Sequence, residues 1–106
     1  MNDIKLLGRL SKDPELKQSA QGKAYTWFTL AVPRQNNREQ ADFFRCVAFG
    51  KLAESLDKHC NKGRQLLING RMEVSQKKDE QTQIVTTYHN VVATGIEFLH
   101  DPHRQA

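Results

Sequence analysis

The sequence has little cysteine, no long apolar run and no recognisable catalytic set. Its two cysteines, Cys46 and Cys60, lack the close paired spacing that binds zinc or runs redox chemistry, so both are expected as buried or semi-buried thiols. Met1 to Leu10 carries charge within its first five residues and no apolar stretch, which argues against a secretory signal or a membrane span there and for a cytoplasmic protein. Of the four histidines, at 59, 89, 100 and 103, only His100 and His103 are closely spaced, short of the four ligands that structural zinc requires, so neither metal nor cofactor is expected. A Gly-rich phosphate loop, paired carboxylates in a plausible pocket and a Ser/His/Asp or Cys/His signature are all missing, and no enzyme is expected. Without internal repeats, low-complexity runs or a linker, the 106 residues read as one domain over 1–100 with a short flexible end at 101–106.

What is present is a polar, basic, globular chain. Hydrophobic residues make up 38% and charged residues 26%, with a mean hydropathy of −0.69. Sixteen Lys plus Arg against twelve Asp plus Glu give a net charge of +4, which favours a polyanionic partner without establishing one.

The most informative stretch is Asp42 to Leu56, DFFRCVAFGKLAESL. Read with period two, Phe43, Arg45, Val47 and Phe49 share one face of a strand, while Phe44, Cys46 and Ala48 share the other. In a small domain only one of these faces can be core. If the second packs inward, Phe43 and Phe49 flank Arg45 on a wet surface, where rings with a cation between them suit a nucleobase and its phosphate. Ala24 to Val32 repeats the pattern, with Phe28, Leu30 and Val32 as core and Tyr25, Trp27 and Thr29 outside. An antiparallel hairpin would bring Trp27 and Phe43 to the same side. The intervening Pro33 to Ala41 reads as a long mobile loop whose Arg34 and Arg38 could grip phosphate.

Around these, Ile4 to Leu10 reads as a first strand bent at Gly8, and Glu15 to Gln18 as a possible extension of the hairpin. Leu52, Leu56 and Cys60 predict a short amphipathic helix over Lys51 to Cys60 with Gly63 as its stop. Gln65 to Val74 reads as a fourth strand, Ser75 to Gln83 as a polar hairpin loop carrying Lys77 and Lys78, and Ile84 to Thr94 with Ile96 to Leu99 as the last strand. Five strands with one helix between the third and fourth match an all-β Greek-key barrel of the oligonucleotide-binding kind (OB-fold), which binds single strands across its second and third strands.

At this point the chain resembles the bacterial single-stranded DNA-binding protein family. The likeness runs through Met1-Asn2, Leu7-Gly8-Arg9-Leu10, Asp13-Pro14-Glu15-Leu16, Phe28-Thr29-Leu30-Ala31-Val32, Asp42-Phe43, Phe49-Gly50-Lys51-Leu52-Ala53-Glu54, Lys62-Gly63, Gly70-Arg71 and Ile96-Glu97-Phe98-Leu99. No one of these is specific, but their order and spacing are. The resemblance implies a non-catalytic barrel that assembles into homotetramers and coats single-stranded DNA in replication, recombination and repair, in the cytoplasm and associated with the nucleoid. It places the family's stacking aromatics on Phe43 and Phe49 and its basic contacts on Arg45 and Lys51. A second relative, the primosomal replication-restart protein, implies instead a dimeric adaptor that binds single strands and helicase-loading proteins.

The departures are as informative. Lys77 stands where the family often has an aromatic in the hairpin after the fourth strand, and Trp27 is an aromatic where relatives usually have a polar side chain. Family members that recruit repair enzymes end in a long flexible segment with an acidic tip, whereas this sequence ends Asp101-Pro102-His103-Arg104-Gln105-Ala106, which reads as a tail-less or a shortened member. The expected site is Trp27, Arg34, Arg38, Phe43, Arg45, Phe49, Lys51, Lys77 and Lys78, with single-stranded DNA as ligand.

Overall fold

The computed structural model describes residues 1–99. In chain order the elements are β1 (Ile4–Leu10), β2 (Lys17–Gln18), β3 (Ala24–Pro33), β4 (Ala41–Phe49), α1 (Lys51–His59), β5 (Gln65–Lys78) and β6 (Val85–Phe98). Hydrogen bonding orders the strands β1-β5-β6-β4-β3-β2, and an additional β1–β3 pairing closes the five long strands into a ring. This is the expected oligonucleotide-binding barrel, with α1 between its third and fourth long strands. The two-residue β2 lies along β3, where the hairpin extension was expected. None of the helices among the described residues is long and apolar enough to cross a membrane.

Closure depends on β1 serving two neighbours. Its residues Ile4 to Arg9 pair with β5, and Arg9 and Leu10 then pair with Ala31 and Leu30 of β3. Gly8 sits at this changeover, and a Cβ there would collide with the backbone carbonyl of Ala31. Gly70 has the same role on the far side, where a Cβ would strike the Val92 carbonyl. Asn69 faces Gly95 and Gly70 faces Ala93, so Thr94 is the extra residue of a bulge in β6, its Oγ1 donating to the Asn69 carbonyl at 3.2 Å. The break expected between Thr94 and Ile96 is thus a bulge within one strand. Beyond the end of β1, the Asn2 amide continues the ladder by donating to Met72 O and accepting from Met72 N–H.

Strand alternation supplies the core. Phe28 and Leu30, Cys46 and Ala48, Leu66 and Ile68, and Val91 and Ala93 point inward and meet Ala53, Leu56 and Cys60 from the helix end of the barrel. Burying side chains such as Leu30, Leu56, Leu66 and Ile68 contributes about 1.5–3 kcal/mol each. The helix starts behind Gly50, whose φ of 61° favours glycine, and ends at Cys60, whose N–H donates to Leu56 O at 3.0 Å. Both cysteines are buried, and burial pushes the Cys46 thiol up to about 12.

Two further sequence expectations change. Ser75 to Lys78 is strand rather than loop, because the β5–β6 ladder runs on to Lys78 opposite Val85 although nothing there is buried. No buried side chain marks this part of the hairpin, so hydrophobic alternation could not announce it. Likewise β3 and β4 stay paired out to Pro33 and Ala41, shortening the connection to residues 34–40. That connection is tied by Arg34 N–H to Gln40 O at 3.0 Å and by Gln40 N–H to Asn37 O at 3.1 Å.

Gly8→Ala is expected to lower stability by about 1–3 kcal/mol through overpacking against Ala31, read as a lower urea midpoint at unchanged slope. An unaltered midpoint would show that β1 can shift away from β3 at no cost.

Candidate nucleic-acid interface

The outward side of the β3–β4 ladder is built from four rungs: Tyr25 opposite Phe49, Trp27 opposite Val47, Thr29 opposite Arg45 and Ala31 opposite Phe43. Alternation sends their inward neighbours Thr26, Phe28, Leu30, Cys46 and Ala48 into the barrel and leaves the rungs outside. Phe43 is 66% exposed, Phe49 42% and Trp27 39%, a group of large rings that water covers poorly. Val47 also faces outward but is buried; it lies outside the core cluster, flanked in the ladder by Trp27 on β3 and Val92 on β6. The face is therefore an apolar floor with aromatic shoulders rather than a uniform row.

Cations already rest on two of the rings. Arg45 Cζ lies 4.4 Å from the centroid of Trp27, its diagonal neighbour across the ladder, and Lys23 Nζ lies 5.1 Å from the centroid of Phe49. Phe43, the most exposed of the three, has no such partner among the described residues. Lys51 is exposed at the first position of α1, two residues beyond Phe49. Arg34 is held within its own connection: Nε donates to Asp42 Oδ1 at 2.9 Å and an η nitrogen to Gln40 Oε1 at 3.2 Å. Its charge is largely answered inside the chain, while Arg38 is exposed on the same connection.

The β5–β6 hairpin separates the two lysines that the sequence sets side by side. Lys77 pairs with Thr86 and shares the outward side with Ser75 and Tyr88; Lys78 pairs with Val85 and leaves from the opposite side, that of Met72 and Val74. Of the expected residues, Trp27, Phe43, Arg45 and Phe49 are brought together, Lys51 is adjoining, and Arg34, Arg38, Lys77 and Lys78 lie on the two hairpins.

Three residues with matching chemistry received no role from the sequence. Tyr25 completes the rung with Phe49, Lys23 covers the Phe49 ring, and Tyr88, 46% exposed, supplies an aromatic to the hairpin that carries Lys77. Extending the hairpin register past Val74 would have found Tyr88 opposite Ser75. Lys23 lies outside the strand pattern, and no local signal places it over a ring.

Chemically, the face can stack planar apolar groups and neutralise anions between them. No group of three or more His, Cys, Asp or Glu that could hold a metal occurs among the described residues. His100, His103 and the end at 101–106 lie outside those residues.

The match to known proteins covers the whole barrel. The model of the Single-strand binding protein family matches residues 1–99. The "Single-stranded DNA-binding protein" of Fusobacterium nucleatum is 47% identical over 104 residues, covering 92% of this chain and 66% of that protein. The protein of the same name from Clostridium perfringens is 43% identical over 101 residues, covering 93% of this chain and 66% of its own. "Single-stranded DNA-binding protein A" of Bacillus subtilis is 36% identical over 103 residues, covering 93% and 59%. The chain thus spans about two thirds or less of the length of these relatives, and their names do not favour the replication-restart alternative. Closed barrel, aromatic ladder face and a match running through residues 1–99 agree: this chain belongs to the single-strand binding protein family.

Proposed function

We propose that this chain binds single-stranded DNA without sequence preference and protects it during replication, recombination or repair, as a cytoplasmic, non-catalytic coat protein. The observation that carries this reading is the exposed aromatic group Trp27, Phe43 and Phe49 interleaved with Arg45 on one barrel face, in a member of this family. Every nucleobase offers a π-face, so stacking on such rings is tolerant of sequence. Phe43 and Phe49 serve as stacking platforms, and Arg45, Lys51, Arg38 and Lys77 neutralise phosphates, with Arg34 and Lys78 more peripheral because of their ion pair and their orientation. Homotetramers are the proposed assembly, with the half-exposed Leu7 of β1 as a contact between copies; light scattering separates this from a dimer. Replication and repair proteins are the proposed further partners.

Fluorescence anisotropy with deoxythymidine oligomers should give binding that strengthens with length and is little competed by duplex. Equal competition by duplex would overturn the reading. Phe43→Ala and Phe49→Ala should each weaken binding by about 1–3 kcal/mol in a protein that stays folded and assembled. Lys77→Ala should lower the slope of log affinity against log salt by about 0.7, as expected for one lost single-strand phosphate contact, and Lys78→Ala by less. Unchanged affinity or slope in the folded variant would remove that residue from the site.

A further inference from the structure

Trp27 is the ring expected to lie under a base, yet it already carries a guanidinium. Arg45 Cζ stands 4.4 Å from its centroid, reached along the diagonal that the rungs Trp27–Val47 and Thr29–Arg45 create. Among the described residues no carboxylate pairs with Arg45 and no hydrogen bond holds it, so the indole is what it rests against. A guanidinium over a ring face keeps its N–H donors available to an acceptor, because the ring offers them none at its edge. Beside the pair opens a cavity of about 180 Å³, lined also by Lys12, Asp13, Glu15 and Thr29. Asp13 accepts a hydrogen bond from the Lys62 N–H at 2.6 Å, which pins the turn after β1, and the wall sets the two carboxylates Asp13 and Glu15 beside the two cations Lys12 and Arg45.

We infer that Trp27 is a positioning residue: it holds the Arg45 guanidinium over the barrel face so that its edge donates to a backbone phosphate entering the cavity shared with Lys12. The inference rests on the single-strand reading above and assigns Trp27 a task other than base stacking. The indole carries no charge, yet its removal should take away an ionic contact, because a released Arg45 side chain regains its rotamers and no longer presents a fixed fork. Lysine could not substitute for Arg45, since an ammonium has neither the planar stack nor the paired donors.

The test is anisotropy with a deoxythymidine oligomer over a range of salt, on the full chain and on Trp27→Phe, Trp27→Leu, Arg45→Lys, Arg45→Ala and Trp27→Leu/Arg45→Ala, each checked for fold by circular dichroism. Trp27→Leu should weaken binding about tenfold and lower the salt slope by about 0.7, and Arg45→Ala should do the same. Trp27→Phe, which keeps a π-face of similar position, should retain the slope, and Arg45→Lys should lose affinity. The double variant should be little worse than either single one, as for residues acting as a unit. A Trp27→Leu protein that loses affinity at unchanged slope, or whose loss adds to that of Arg45→Ala, would overturn the inference and make Trp27 a stacking platform. Unchanged affinity in Trp27→Leu would also overturn it while leaving single-strand binding intact. Failure of the unaltered chain to bind the oligomer would overturn the functional reading itself.

Discussion

One strand pairing on both sides holds this molecule together. β1 is bound to β5 over most of its length and to β3 at its end, and without the second pairing the sheet would be an open, curled ribbon with β1 at one edge and β2 at the other. The changeover requires the backbone of β3 to come within contact distance of Gly8, where any side chain would collide with the Ala31 carbonyl. A corresponding approach at Gly70, next to the Thr94 bulge, lets β5 and β6 turn sharply enough to meet β1 and β4. Closure encloses the aliphatic and thiol-bearing core, and α1 contributes Ala53 and Leu56 to it.

Closure also fixes which side of β3 and β4 faces water. With Phe28, Leu30, Cys46 and Ala48 committed to the core, the rungs between them have no interior to enter, and their large side chains remain outside. The exposed rings are thus a consequence of register rather than of weak packing, and the paired ladder of β3 and β4 carries them. Cations laid over Trp27 and Phe49 shield part of this apolar surface and keep positive charge close to where a polyanion would run. Binding and fold share one device: the period-two alternation that fills the barrel also arms its surface.

The alternation explains how much could be read from the sequence. Phe28 against Trp27 and Phe44 against Phe43 differ only in parity, and parity is visible along the chain, so the core, the outer aromatic set and the helix that plugs the barrel were all legible. What depends on register between distant segments was not. Arg45 reaches Trp27 only because Val47 faces Trp27, and Val47 is covered because β6 joins β4 in parallel beside it. The strand character of Ser75 to Lys78 was hidden for a different reason: its polar side chains bury nothing, and the ladder to Val85 through Tyr88 carries it out beyond the barrel. Thr94 as a bulge was equally unreadable, being defined by what stands opposite it.

Trp27 is the single tryptophan of the chain and stands in the middle of the proposed surface, so its emission reports directly on whether DNA lies there. Titration with deoxythymidine oligomers of increasing length, at two salt concentrations and beside a duplex control, should give saturable, length-dependent quenching that weakens with salt and is nearly absent with duplex. Absence of binding at low salt would contradict the claim that this chain binds single strands, whereas binding that leaves the Trp27 emission unchanged would keep that claim and move Trp27 out of the contact.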